Sequence, residues 1–264
     1  MLEARVRIVP RGLVAFSLAC AMAIPVSVMS AASPVGQPTQ RVLLGTTAEV
    51  DDLAAAVTAA GGNVVQTFEI AQALLADLPA EAPAPEGSFV VPNVTMEFNA
   101  APTAASTSDD NNTFRETIGA PAEGGTGITV AVIDTGVDAS ADIDVSEHVN
   151  VSGDRRGDGL GHGTFMAGLV AGDDTQYGGV APGAQVLDVQ VADRDGNTDL
   201  ARVLAGLQAV ADHRAEDPSL DVAMLALSTQ SPLPPWLDPL TRGLDRLWAR
   251  GVTVVVASGN DGDD

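Results

Sequence analysis

Gly127-Ile128-Thr129-Val130-Ala131-Val132-Ile133-Asp134-Thr135-Gly136 is the stretch whose reading decides the fold. Residues 128–133 make a short apolar run rich in β-branched side chains, the pattern of a strand buried in a sheet. Working outward, residues 185–191, 222–227 and 252–257 repeat that pattern. Between them, residues 164–171, 199–213 and 239–250 carry apolar side chains at helical spacing. Strands alternating with helices predict an α/β fold, a parallel sheet flanked by helices on both faces. Active groups in such sheets collect where strands end at the carboxyl edge. Asp134 stands at that place, and Thr135-Gly136 lets the chain turn so that the carboxylate points into a crevice.

His162 follows 28 residues later, between Gly161 and Gly163 and ahead of Thr164. Flanking glycines allow close backbone approach, and a neutral imidazole there can take a proton from a hydroxyl and pass it to a leaving amine. Asn260, after Ala257-Ser258-Gly259, ends the last strand with an amide that can donate to an oxyanion. Each residue has a plainer reading. Asp134 can cap a turn, His162 can sit on a glycine-rich loop (Gly157, Gly159, Gly161 and Gly163 alternate), and Asn260 can form a turn with Asp261-Gly262. A phosphate cradle lacks the Lys and Ser/Thr of a P-loop after the glycines. His148 and His213 lie in polar settings and read as solvated.

Ala131-Val132-Ile133-Asp134-Thr135-Gly136, Gly161-His162-Gly163-Thr164 and Ala257-Ser258-Gly259-Asn260, in this order, resemble the first three of the four motifs of subtilisin-like serine proteases. Gly178-Gly179-Val180-Ala181-Pro182-Gly183-Ala184 resembles that family's loop before its second core strand, and Ile118-Gly119-Ala120-Pro121 its entry to the catalytic domain. The resemblance covers residues 114–264. It implies a serine endopeptidase with Asp134 as orienting acid, His162 as general base and Asn260 as oxyanion donor. Where the family shows Asn-hydrophobic-Ser-Leu-Gly on its substrate strand, this chain has Met224-Leu225-Ala226-Leu227-Ser228. Leu227 and Ser228 are the substrate-binding candidates, with Ser228 narrowing a cleft where the family has glycine. No Gly-Thr-Ser-Met-Ala-like segment occurs before Asp264. The expectation is therefore an incomplete subtilisin-like domain, the N-terminal portion of a precursor, that does not turn over peptides by itself. No cofactor is identifiable. Calcium enters through the resemblance alone, and no metal site is assigned.

Residues 41–98 carry a separate pattern: a strand at 41–44, a helix capped by Thr47 with Val50, Leu53, Ala54 and Val57 on one face, and strands at 64–68, 71–78 and 90–98. This order resembles the family's inhibitory propeptide, a small ferredoxin-like α+β unit, with the proline-rich residues 79–85 where a second helix is usual. Residues 99–113 read as a linker holding the maturation cut. At the N-terminus, Arg5, Arg7 and Arg11 precede a long apolar run and then Ser30-Ala31-Ala32, the layout of a secretory signal peptide over residues 1–32. Cys20, the sole cysteine, lies inside it, so the rest has no disulfide for an extracellular life. A net charge of −22 excludes a basic stripe for nucleic acid. The expected partners are a protein or peptide substrate and the chain's own propeptide unit, in a monomer. Two other classes stand beside this one. A non-catalytic secreted protein would keep the fold to bind peptides, and a doubly wound nucleotide-binding domain would need a Gly-x-Gly-x-x-Gly that residues 134–139 lack.

Overall fold

The computed structural model describes residues 38–98, 113–138, 142–175, 177–229 and 231–259. Residues 1–32, residues 99–112 of the linker and Asn260 lie outside these. In chain order come β1 (Thr39–Thr46), α1 (Val50–Ala59), β2 (Asn63–Phe68), a 3-10 turn (Glu69–Ala71), β3 (Ala73–Pro79), β4 (Ser88–Val91) and β5 (Thr95–Phe98). There follow α2 (Thr113–Ile118), β6 (Thr129–Asp134), β7 (Val145–Asn150), α3 (His162–Ala171), β8 (Gln185–Gln190), β9 (Thr198–Asp199) and α4 (Leu200–Glu216). The last are β10 (Leu220–Leu225), β11 (Leu227–Ser228), α5 (Pro239–Ala249) and β12 (Thr253–Val256).

Five strands form one sheet in the order β12-β10-β6-β8-β7, and every pairing in it is parallel. The predicted parallel α/β sheet is present. β6 lies at its centre with all six residues buried, and its period of two explains why. Ala131 and Ile133 face one layer with Val203, Leu204 and Leu207 of α4. Val130 and Val132 face the other, with Ala167 and Ala171 of α3. A strand covered on both faces has no place for polar alternation, so the continuous apolar run is what this position demands. Small residues on α3 let it sit close to the sheet. β12 is an edge strand whose Val255 and Val256 are exposed.

Residues 39–91 build a four-stranded sheet in the order β2-β3-β1-β4, with β1 antiparallel to both neighbours. α1 lays Val50, Leu53 and Val57 against Leu44, Leu74, Ala76 and Leu78. Three local expectations need correction. The helix is capped two residues later than at Thr47: Glu49 is its N-cap, without a side-chain bond, while Thr46 Oγ1 accepts from Ala48 N–H. The single strand expected over residues 90–98 divides at Pro92, which has no N–H to continue a ladder. β4 stays on β1, and β5 joins β11 and β9 in a three-stranded sheet ordered β11-β5-β9. The run 222–227 divides as well: β10 ends at Leu225, and Leu227 pairs elsewhere.

Hydrogen bonds tie the four-stranded sheet to the helices of the larger one. Arg242 donates to Thr46 O, and Arg246 donates to the carbonyls of Glu69 and Ile70. Asn93 Oδ1 and Val94 O accept from the first N–H groups of α4, at Ala201 and Leu200. Those donors have no partner within their own helix.

Candidate active site

Asp134 closes β6 at the carboxyl edge of the sheet, paired in register with Gln190, and is fully buried. His162 is the first residue of α3, two residues earlier than the helical spacing over residues 164–171 places the start. The N-cap, Gly161, has φ 84°, in the left-handed region that favours glycine. Gly163 is required for a different reason: a Cβ built there would lie 2.1 Å from Gly136 O and 3.1 Å from Asp134 Oδ1. The start of the helix therefore rests directly on the turn after β6, and this contact brings the two side chains together.

Asp134 Oδ1 and His162 Nδ1 are 2.7 Å apart, with both side chains almost wholly buried. Oδ1 also accepts from Thr135 N–H at 2.7 Å, whereas Oδ2 has no hydrogen-bond partner among the described residues. Burial pushes the Asp134 carboxyl above its ordinary range, and the His162 hydrogen bond and charge pull it partly back. With its Nδ1 proton shared with the carboxylate, a neutral imidazole keeps Nε2 as its basic atom. Such an arrangement lets a carboxylate orient an imidazole that can act as a general base.

An extended stretch of the same chain lies beside this pair. β5 runs antiparallel to β11, setting Phe98 opposite Leu227 and Glu97 opposite Ser228. On its other edge it pairs with β9, Thr95 opposite Asp199 and Met96 opposite Thr198. The Phe98 ring is tilted against the His162 ring, centroids 5.4 Å apart. Met96 is buried in a cleft of about 220 Å³ that Leu225, Leu227, Leu240, Leu244 and Val256 also line. Leu227 and Ser228 thus hold a peptide backbone within reach of His162.

Of the five residues singled out from sequence, four are described: Leu227 and Ser228 line the cleft, and the Asp134–His162 pair meets the strand they hold through Phe98, while Asn260 falls outside the described residues. Its neighbour Ser258 lines the same cleft. The two histidines read as solvated are not so. His148 Nδ1 is 2.8 Å from the buried Asp188, and His213 lies 3.3 Å from Glu147 and 3.8 Å from Asp217. The sequence reading also passed over Asp158, which accepts hydrogen bonds on both sides of the pair. Its signal was an acidic residue just ahead of a helix whose own N-cap is a glycine.

A calcium ion needs several converging oxygen ligands. Asp142, Asp144 and Asp173 line a cavity of about 440 Å³. Asp144 is engaged by the Gln185 amide, and among the described residues no three His, Cys, Asp or Glu side chains converge to hold a cation. These residues do not fit the ion. No helix among the described residues is long and apolar enough to cross a membrane.

Comparison with known proteins agrees with the geometry. The family model described as the subtilase family matches residues 125–264, just over half of the chain. The chain is 31% identical over 153 residues to serine protease AprX of Bacillus subtilis, covering 53% of this chain and 34% of AprX. It is 34% identical over 142 residues to subtilisin BL of Lederbergia lenta, covering 52% of this chain and 49% of that one. Fervidolysin from Fervidobacterium pennivorans, a solved keratinolytic enzyme related to subtilisin, matches with a TM-score of 0.62 at 22% identity. That match covers 86% of this chain and 41% of fervidolysin, and at such identity it speaks for the fold. The chain spans about half or less of the length of these curated relatives.

Proposed function

The chain belongs to the subtilase family, and from that premise we propose that it carries the acid–base part of a secreted serine endopeptidase that hydrolyses peptide bonds. One observation carries the reading: the buried 2.7 Å Asp134–His162 hydrogen bond stands beside a peptide strand held antiparallel on Leu227–Ser228. Asp134 fixes the imidazole tautomer and stabilises the imidazolium. His162 Nε2 removes the proton of a serine hydroxyl as its oxygen bonds to the scissile carbonyl carbon. The same proton then goes to the departing amine as the carbon–nitrogen bond breaks. Asn260 donates to the oxyanion between these steps. The substrate is an extended segment of protein or peptide, held by backbone pairing as β5 is held. The 264 residues contain no Gly-Thr-Ser-Met-Ala-like segment, so turnover is expected only where such a segment is joined or added.

In this reading residues 41–98 are an inhibitory propeptide and residues 1–32 a signal peptide for export. The occupation of the cleft by β5 supports the first of these. The maturation cut then falls beyond Phe98, in the 99–113 linker. A second reading, a secreted peptide-binding protein without catalysis, is favoured by one fact: β11 and β9 hold β5 by backbone pairing that draws on no catalytic side chain.

A fluorophosphonate label applied to the gene product carrying a serine block, after removal of residues 1–98, tests the proposal. Labelling that disappears in His162→Ala is the expected result. Absence of labelling in the folded, serine-bearing protein overturns the endopeptidase reading, and retained binding of extended peptides would then favour the second.

A further inference from the structure

We infer that Asp158 is a positioning residue for the Asp134–His162 pair: its one carboxylate caps the helix that carries His162 and holds the Thr135 hydroxyl proton away from Asp134. Calling the pair acid and base rests on the function proposed above, while the positioning itself rests on geometry.

Asp158 is buried and accepts four hydrogen bonds. Oδ1 takes Gly161 N–H and the Thr135 hydroxyl, each at 2.7 Å. Oδ2 takes Thr164 N–H at 2.8 Å and the Thr164 hydroxyl at 2.7 Å. Thr135 directly follows Asp134, and Thr164 stands two residues after His162, so a single carboxylate grips both shoulders of the pair. The first N–H groups of a helix have no partner within it, and Gly161 brings no side chain as N-cap. Asp158 meets Gly161 and Thr164, Thr135 Oγ1 meets Gly163 N–H at 2.9 Å, and a negative charge at this end also suits the helix dipole. Asp138 closes the ring: its Oδ1 accepts from Asp158 N–H, and its own N–H donates to Thr164 Oγ1.

A count of protons gives the network its consequence. Thr135 Oγ1 has one proton and two acceptors in reach, Asp158 Oδ1 at 2.7 Å and Asp134 Oδ1 at 3.2 Å. The shorter bond goes to Asp158. Asp134 is then left with Thr135 N–H and His162 Nδ1 on one oxygen and no partner on the other. A carboxylate poor in donors binds the imidazole proton more strongly. In Asp158→Asn an amide replaces one acceptor by a donor. Facing Thr135, it releases the hydroxyl proton to Asp134 and meets the Gly161 N–H head on. Facing Thr164, it meets a backbone N–H head on and loosens the start of α3. Both weaken the pull of Asp134 on His162.

The test is a nuclear magnetic resonance titration of the His162 imidazole in the 264-residue chain, with Asp158→Asn, Thr135→Val and the double variant. Asp158→Asn should lower the pH of half-protonation of His162 by about one unit, a tenfold change in the equilibrium. In the double variant, which has no hydroxyl to turn, at least half of that shift should vanish. An unmoved His162 in folded Asp158→Asn overturns the inference, and so does a shift undiminished by Thr135→Val. Should Asp158→Asn not fold, Asp158→Ser is held to the same criteria, since its hydroxyl still accepts one backbone N–H without the charge. In the serine-bearing gene product, Asp158→Asn should lower kcat per labelled site about tenfold, leave KM unchanged and move the acid limb of the pH profile downward. Fewer labelled sites with an unmoved profile would overturn it. A shifted His162 without peptidase activity would overturn the proposed function and leave the positioning role standing.

Discussion

Gly163→Ala is the smallest change that should part Asp134 from His162. The new methyl carbon would lie 2.1 Å from Gly136 O, against about 3.3 Å for a close carbon–oxygen contact. The obstacle is backbone on both sides, so the start of α3 and the turn after β6 must separate by roughly 1.2 Å to reach that contact. If that displacement falls along the 2.7 Å bond between His162 and Asp134, the atoms end about 3.9 Å apart, beyond hydrogen-bond range. Overpacking strain together with the lost charged hydrogen bond should cost about 3–5 kcal/mol. Gly168→Ala is the control, on the same helix but with nothing within 4 Å of its methyl carbon. It should gain about 0.5–1 kcal/mol, because alanine loses less backbone entropy in a helix. Urea denaturation of the 264-residue chain gives both values, and the Nδ1 proton resonance of His162 reports the bond directly. If Gly163→Ala matches Gly168→Ala in stability and keeps that resonance, the close approach of backbone is not what requires glycine.

Three other substitutions probe the surroundings. Met96→Asp places a carboxylate in the cleft where Met96 is almost wholly buried, at a cost of several kcal/mol. Amide exchange across Leu227–Ser228 should then accelerate as β5 leaves, and protection equal to that of Met96→Leu would contradict the pairing. Asp188 is pushed above its ordinary value of 3.8, first by burial. Such a group stabilises the fold fully below that value, and its contribution is lost as pH rises through the folded pKa. Asp188→Asn should therefore flatten the decline of unfolding free energy with pH just above 3.8, and an equally steep decline would refute this. Arg246→Ala removes the guanidinium that binds the carbonyls of Glu69 and Ile70. It should cost about 1.5–3 kcal/mol in denaturant unfolding, and no change would mean that water replaces the contact at no loss.

Much of this was legible because the central strand leaves little choice. A run such as residues 129–133, buried on both faces, has few homes other than the middle of a parallel sheet, and its polar terminus marks the carboxyl edge. His162 was legible through its glycines, whose shape requirements are local. β7 was not: Val145–Asn150 lies at the sheet edge, carries Ser146, Glu147 and His148, and has no apolar run to announce it. The division of residues 90–98 was half visible, since Pro92 breaks a ladder wherever it stands. That β5 would cross to β11 depends on long-range pairing, which no local pattern encodes. The partners of His148 and His213 escaped for the same reason: Asp188 and Glu147 are distant in sequence and adjacent only in the fold. Asp158 escaped because its hydrogen bonds reach Thr135, 23 residues away.

The burial of Asp134 looks at first like a defect, since it leaves one carboxylate oxygen without a partner and raises the proton affinity of the acid. For a base it is an advantage. With His162 neutral, the buried pair carries a net charge of minus one, which a site this buried solvates poorly. A second proton on Nε2 turns the pair into neighbouring opposite charges with no net charge. The desolvation that penalises ionised Asp134 therefore also favours a second proton on the pair. The Phe98 ring against His162 extends the dry surroundings on the side where a peptide would lie. Any segment that occupies the cleft as β5 does should strengthen the base as it binds, because it takes away water that would otherwise stabilise the net negative, unprotonated pair. The His162 titration should consequently fall to lower pH when Met96→Asp empties the cleft, and an unchanged titration would show that the walls of the site alone set its proton affinity.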